Sequence, residues 1–152
     1  MSYNDFVDSF LENLDETRKI QELADQRGEL ALLMVEVNDD DPRVANSLIS
    51  KIQDEVSNAK GEVRHLFGAL IIATFDRTMP DFAEAQRRSE QTANSLQRSL
   101  ANQAKVLYGK RRGFYRQVGP ENNRRNIIFL IRFDELIAQL SSAEFGTMKE
   151  IV

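Results

Sequence analysis

Cysteine is absent from this 152-residue sequence, and histidine occurs once, as His65. These scarcities exclude disulfide bonds, cysteine-ligated zinc, iron–sulfur clusters, thiol catalysis and a histidine-rich metal site within one chain. Proline and glycine are also scarce, with 3 and 7 residues. Because both residues interrupt regular structure, their scarcity predicts long uninterrupted elements.

Long hydrophobic runs are missing too. The longest, residues 67–75, is well short of the roughly 18 residues needed to cross a bilayer. The N-terminus is acidic and lacks the basic-then-apolar pattern of a secretory signal. We therefore expect an intracellular protein with no membrane partner.

Motifs for catalysis are hard to find in this sequence. It has no phosphate-binding glycine loop, no nucleophile elbow and no support for a catalytic triad. Glu62 and His65 match the Glu-x-x-His spacing of di-iron bundles, but such a site needs a second histidine, so we interpret His65 as a residue on the flank of a helix. Asp39–Asp41 lacks the EF-hand spacing and is interpreted as a helix-capping turn. The sequence thus predicts no enzyme, no metal and no cofactor.

The strongest pattern starts at Ala45. Steps of four and three residues from there meet only apolar side chains, the period of a helix packed along partner helices. The nine positions of this seam are Ala45, Ile49, Ile52, Val56, Ala59, Val63, Leu66, Leu70 and Ala73. Asp41 is a suitable N-cap, and Pro42 suits the first helical position. We predict one helix over residues 42–77.

Apolar residues at helical spacing also predict helices over about 5–37, 80–108 and 125–142. Short turns make sequential helices antiparallel neighbours, so the predicted fold is all-α, an antiparallel bundle of long helices. The predicted chain is a single domain that comprises a bundle (1–108), a basic loop (109–124) and a C-terminal helix with a docking tail (125–152). An α/β fold is the alternative, because residues 30–37, 66–75 and 127–133 are apolar runs of strand length. The nine-position seam favours the bundle.

Charge is strongly segregated along the chain. Residues 1–41 carry 12 acidic and 3 basic side chains, whereas residues 109–125 carry 6 basic side chains and one acidic one. A basic segment that includes aromatic residues is suited to an acidic protein surface, including a second copy of the chain, or to nucleic acid; an ordinary solvated loop is the third possibility. The candidate interaction residues of this loop are Lys110, Arg111, Arg112, Phe114, Tyr115, Arg116, Arg124 and Arg125.

The C-terminal tail is unusually apolar. We predict that it is a second contact surface, formed by Phe145, Met148, Ile151 and Val152.

The stretch from Val37 through Gly61 resembles the opening of tailed-bacteriophage head-to-tail adaptor (connector) proteins. In those proteins an acidic turn leads into a helix of Leu-Ile-x-x-Ile type, and a second apolar helix ends in a proline-containing turn. The matching segments here are Leu48–Ile52, Leu70–Ala73 and Met79–Phe82. Residues 1–36 have no counterpart in that pattern. The resemblance implies a non-enzymatic ring subunit between portal and tail.

We therefore expect a structural, homo-oligomeric component of a virion neck, which contacts itself, other structural proteins and, non-specifically, DNA. The alternatives are a small nucleic-acid-binding regulator that uses residues 109–125, and an acidic helical export chaperone.

Overall fold

The computed structural model describes residues 29–75, 81–123 and 125–152, and for 114–118 and 125–127 it describes the backbone alone. The described chain contains seven strands and three α-helices. The strands are β1 (Leu30–Val37), β2 (Glu62–Phe67), β3 (Leu70–Thr74), β4 (Ala104–Arg111), β5 (Gly113–Val118), β6 (Arg125–Leu130) and β7 (Met148–Glu150). The helices are α1 (Pro42–Asn58), α2 (Phe82–Leu100) and α3 (Phe133–Ser142), and a 3₁₀ turn covers Ala101–Gln103.

Five of the strands form one mixed sheet in the order β2-β3-β1-β4-β7. Strand β1 is antiparallel to both β3 and β4, while β7 is parallel to β4. Strands β5 and β6 form a separate antiparallel hairpin, which reaches the outer strand β2 through contacts with β6.

Strand β1 is buried on both faces of the sheet. Its odd-numbered residues, such as Leu33 and Val35, pack with α1 and α2, and its even-numbered residues, such as Leu32 and Met34, pack with α3 and with Ile128 of β6. A strand covered on both faces is apolar almost throughout instead of alternating. This explains why the run of residues 30–37 carries no period-two signal.

The start of α1 is confirmed. The Asp41 side chain accepts a hydrogen bond from the Arg43 amide at 3.0 Å, and Pro42 lies in the first turn. The helix ends much earlier than predicted. The Gly61 amide donates to the Val56 carbonyl at 2.8 Å and the Lys60 amide donates to the Ser57 carbonyl at 3.0 Å, while Lys60 takes a left-handed φ of 65°. These two bonds form a Schellman ending.

Close packing explains the glycine at position 61. A Cβ there would lie 2.7 Å from Cε1 of the Phe75 ring, a distance that carbon atoms cannot share without movement of the ring or backbone. Gly61 therefore lets β2 leave the helix alongside a buried aromatic ring.

The prediction of an all-α bundle is wrong. Residues 30–37 of the first predicted helix form β1, and residues 5–28 lie outside the described chain. The predicted helix 42–77 divides into α1, β2 and β3, the one over 80–108 into α2 and β4, and the one over 125–142 into β6 and α3. The seam misled because its first four positions belong to α1 and the fifth, Ala59, is the C-cap residue, whereas Val63, Leu66, Leu70 and Ala73 continue the spacing by chance on strands.

The boundary predicted at residues 108 and 109 falls within β4. The division of the chain into domains stays a prediction. In the described ranges, no helix is both long and apolar enough to span a membrane.

Candidate functional site

The turn between β1 and α1 is the most acidic feature of the described chain. It comprises residues 38–41, here called the acidic turn. Its place is fixed by two backbone bonds, from the Val37 amide to the Ala69 carbonyl (2.9 Å) and from the Asn38 amide to the Gln103 carbonyl (2.8 Å). The turn therefore lies between the β2–β3 hairpin and the start of β4, at the carboxyl end of the central strand.

Side chains within the acidic turn have separate tasks. Asn38 Oδ1 accepts from the Asp40 amide at 3.1 Å, and Asp41 caps α1. The Asp39 and Asp40 side chains are exposed. Since the N-terminal amides of a helix attract negative charge, the start of α1 helps this turn to tolerate three successive carboxylates.

Glu36, just before the turn, faces a buried cation. Lys105 Nζ lies 3.9 Å from Glu36 Oε1, donates to the Leu140 carbonyl oxygen at 3.3 Å and sits 4.9 Å from the centre of the Phe145 ring. The side chain of Lys105 is only 10% exposed. Lys105 thus balances the charge of Glu36 and links the sheet to α3.

No group of three or more His, Asp or Glu residues in the described part of the chain is arranged to hold a metal ion. The interpretation of His65 as a residue on the flank of a helix is wrong, because Glu62 and His65 lie on β2. Glu62 pairs with Arg64 at 2.9 Å. His65 stacks on Phe67, and its Nε2 lies 3.3 Å from the Ile128 carbonyl oxygen.

A second charged feature lies near the opposite end of β4. Four cations, Lys110, Arg111, Arg112 and Arg132, line a groove of about 420 Å³, here called the basic groove. Lys110 and Arg111 belong to β4, Arg112 joins β4 to β5, and Arg132 precedes α3. The fold therefore gathers cations that are 20 positions apart in the sequence.

The predicted loop residues are only partly brought together. Lys110, Arg111 and Arg112 share the basic groove, whereas Phe114, Tyr115 and Arg116 lie on β5 and Arg125 begins β6, with their side chains undescribed. Arg124 lies outside the described residues. The segment predicted as a loop is largely a β-hairpin, and its role as an interaction surface stays a prediction.

The predicted tail residues differ in their surroundings. Ile151 is buried at 8% exposure beside β4, Met148 is half-buried at the start of β7, and Phe145 lies under Lys105. Phe145 and Val152 are exposed. Only part of this apolar surface therefore packs within the chain, and a docking role for the tail stays a prediction.

Sequence reasoning missed Glu36, Lys105, Glu29 and Arg132 as members of charged sites. A charged residue within a buried strand was the available signal for Glu36 and Lys105, because such groups are almost always paired. No local pattern links Arg132 to Lys110, since their proximity depends on the fold.

Proteins of known structure identify this architecture. No protein-family model matches the sequence, and no curated protein matches it. The fold is that of nucleotide cyclase domains, and 92 chains of solved structures match it with high significance.

Three of these structures illustrate the likeness. The adenylyl cyclase CyaB from P. aeruginosa has a TM-score of 0.64 at 8% identity, over 79% of this chain and 74% of that chain. The guanylate cyclase domain of RhGC from Catenaria anguillulae, in complex with GTP, has a TM-score of 0.61 at 8% identity, over 80% and 76%. The dimeric guanylyl cyclase domain of the RhoGC fusion protein from Blastocladiella emersonii has a TM-score of 0.62 at 8% identity, over 80% and 78%.

This likeness overturns the functional predictions made from the sequence. The resemblance to phage head-to-tail adaptors is wrong, and so is the expected role as a structural component of a virion neck, because the fold that both required is absent. The exclusion of an enzyme is contradicted as well, since the similar structures are adenylyl and guanylyl cyclases. Self-association is compatible with this fold, as the dimeric RhoGC domain illustrates. The predicted contacts with DNA and with other structural proteins have no support here.

Proposed function

We propose that this chain is a nucleotide-cyclase-like enzyme, which takes a nucleoside triphosphate as its substrate and works as a homo-oligomer. The observation that carries the proposal is the match of about four-fifths of the chain to adenylyl and guanylyl cyclase domains. The GTP bound in the RhGC structure supports a purine nucleotide as the substrate class. An intracellular location, where such nucleotides are made, is part of the same proposal.

The proposed reaction is an internal displacement at phosphorus. The 3′-hydroxyl oxygen of the ribose attacks the α-phosphorus, the bond from that phosphorus to the bridging oxygen breaks, and pyrophosphate leaves. The hydroxyl proton goes to a base or to water. Such transfers depend chiefly on positioning and on neutralising phosphate charge.

A divalent cation fits the acidic turn better than it fits Glu36. Mg²⁺ in nucleotide sites commonly takes one or two carboxylates and completes its shell with water and substrate phosphates. The exposed carboxylates of Asp39 and Asp40 would hold such an ion, whereas Glu36 is matched to Lys105. Bound there, the ion would supply charge neutralisation for the triphosphate.

The turn is built to keep these two carboxylates in place. Asn38 fixes the Asp40 amide, and Asp41 fixes the first turn of α1. The two bonds to Ala69 and Gln103 tie the turn to neighbouring elements. Asp39 and Asp40 are therefore carried by a braced turn on a rigid sheet, which is what precise positioning requires.

The direct test is to incubate the purified chain with ATP or GTP and with Mg²⁺ or Mn²⁺, and to measure cyclic nucleotide and pyrophosphate by mass spectrometry. We expect a cyclic product from at least one pair of nucleotide and metal. The absence of product from all four combinations, with a folded protein, would overturn the proposal.

A matched pair of variants locates the reaction. Asp40→Asn should lower turnover at least about tenfold, since each 1.36 kcal/mol lost in the transition state is tenfold in rate. Asp54→Asn removes the same charge from an exposed position on α1 and should leave turnover within about twofold. Equal effects of the two variants would contradict the assignment of the acidic turn.

The oligomeric part of the proposal has its own measurement. Light scattering coupled to size exclusion should show a mass of at least twice the 17.4 kDa of one chain. A monomer across all accessible protein concentrations would contradict homo-oligomer formation.

A further inference from the structure

The basic groove contains an arginine with unused hydrogen-bonding capacity. The side chain of Arg111 is 13% exposed. Its Nε and one terminal nitrogen are buried and have no hydrogen-bond partner within the described part of the chain. The nearest carboxylate oxygen, from Glu135, lies 3.9 Å from that terminal nitrogen, which is too far for a hydrogen bond.

An unsatisfied buried donor is costly. Leaving one without a partner costs about 1–3 kcal/mol, and more when the group is charged. Buried guanidinium donors in other sites normally bind carboxylates or phosphates, often through two parallel bonds. The Arg111 side chain borders a groove that is open to solvent, so a shift of this side chain alone, with the sheet unmoved, would bring its buried donors to an incoming anion.

The charges in and beside the groove do not balance. Four cations face two carboxylates, Glu29, which lies 3.4 Å from Lys110 Nζ, and Glu135 beside Arg111. Glu29 Oε2 also has no hydrogen-bond partner within the described chain. Among the side chains in and beside the groove, cations therefore outnumber carboxylates by two, which favours an anionic ligand.

The start of α3 adds to this field. Arg132 is the N-cap residue of α3, and no side chain caps the helix in the described structure. The positive end of the helix thus adjoins the cations. The helix end is a secondary contribution here, because the four side chains and the unsatisfied guanidinium define the groove.

We propose that the basic groove is a binding site for a small polyphosphate anion. A phosphate group offers several acceptor oxygens, and two linked phosphates carry several negative charges, as a groove lined by four cations favours. The groove volume of about 420 Å³ is within the range of small-ligand sites. The inference depends on the groove alone, and it holds whether or not the chain cyclises nucleotides.

The test is calorimetric titration of the full chain with pyrophosphate at about 0.1 M salt, where exposed charges more than ~10 Å apart are largely screened. Inorganic phosphate and ATP are the comparison ligands. We expect pyrophosphate to bind at one site at least about tenfold more tightly than inorganic phosphate. ATP binding that persists after the groove is mutated would locate the nucleotide elsewhere, which separates this site from the proposed reaction centre.

Two variants test the assigned residues. Arg111→Gln should weaken pyrophosphate binding at least about tenfold. Because Arg111 is nearly buried and its variant risks misfolding, Arg132→Asn serves as the second test. Asn tolerates the left-handed φ of 59° at position 132 better than most residues do, so this variant keeps the fold while it removes the cation. It should weaken binding at least about fivefold.

Two control variants complete the experiment, one that removes a positive charge away from the groove and one that removes a negative charge beside it. Arg98→Gln removes an exposed cation from α2 and should change pyrophosphate affinity less than about twofold. Glu135→Gln removes the carboxylate beside Arg111 and should tighten binding about two- to fivefold. The proposal is overturned if pyrophosphate does not bind, or if Arg132→Asn and Arg98→Gln weaken its binding to the same degree.

Discussion

Lys105 is a charged residue held in the layer between the central sheet and α3. Its ammonium group is shared among a carboxylate, a carbonyl oxygen and an aromatic face, each from a different part of the chain. Burying a charge is costly unless it is paired and hydrogen-bonded. These three partners together make the buried position of Lys105 tolerable, and its ion pair with Glu36, at 3.9 Å, links β4 to β1.

Replacing Lys105 should therefore destabilise the fold. Lys105→Met keeps most of the volume but leaves the Leu140 carbonyl without this donor and Glu36 without its cation. We expect a loss of about 1–3 kcal/mol in the free energy of unfolding, measured by urea denaturation. Lys149→Met, at an exposed position, should cost less than about 0.5 kcal/mol.

A double variant of Glu36 and Lys105 tests whether the ion pair between them contributes to stability. If Glu36 and Lys105 are coupled, Glu36→Gln combined with Lys105→Met should cost less than the sum of the two single changes. Strict additivity would mean that Lys105 acts through the carbonyl and the ring alone.

Individual elements differ in how far their sequences reveal them. The start of α1 is encoded locally by Asp41 and Pro42, so it was predicted correctly. The end of α1 depends on Lys60 in a left-handed conformation, and its one sequence signal is the neighbouring Gly61. Strand β7 has no local signal, because three residues pair with β4 only after the chain has returned to it.

The sequence reveals the two charged sites, the acidic turn and the basic groove, to different degrees. The acidic turn is visible in the sequence as a run of aspartates, and the capping role predicted for it is confirmed at Asp41. Three of the four cations of the basic groove, Lys110, Arg111 and Arg112, are visible in the sequence as one basic segment. Arg132 is not, since only the packing of α3 on the sheet brings it there. Sequence patterns thus identified charged segments but not the elements that assemble them.

Helix α2 begins with a charged network that makes a pH prediction possible. A hydrogen bond from Arg87, followed by one from Arg88, lowers the pKa of Glu84 from its ordinary value of 4.5. Arg87 Nε and Arg88 Nε each donate to a Glu84 oxygen at 2.9 Å. Because the folded pKa is the lower one, the stabilisation is fully present above the unfolded value and is lost as the pH falls through the folded value.

Glu84→Gln should accordingly lower the melting temperature at pH 7 and have progressively less effect below about pH 4.5. Circular dichroism melts at pH 7, 4 and 2.5 measure this. Glu90→Gln, an exposed carboxylate on the same helix, is the matched control and should change the melting temperature little. A deficit of Glu84→Gln that is constant across the three pH values would contradict the prediction.

At the scale of the whole molecule, strand pairing and side-chain packing are most extensive in the middle of the five-stranded sheet. Strand β1 has a paired strand on each side and a packed layer on each face. Strands β5 and β6 pair only with each other within the described chain. The local free energy of opening should therefore be highest at β1 and lower at the hairpin.

Hydrogen exchange followed by mass spectrometry measures this difference. Amides of residues 30–37 should exchange at least about tenfold more slowly than those of 113–118 and 126–130, because each 1.4 kcal/mol of opening free energy is a tenfold change in rate. Uniform exchange over these segments would mean that the hairpin opens only when the whole chain unfolds.

The strand order also has a consequence for biosynthesis. Both strands that pair with β1 follow it in the chain: β1 ends at Val37, and β3 does not begin until Leu70. At roughly 5–20 residues per second, translation leaves the apolar strand β1 without a pairing strand for about two to seven seconds. As the nascent chain leaves the ribosome, β1 is therefore an unpaired, aggregation-prone segment. We expect a chaperone to bind this segment until β3 and β4 have been made.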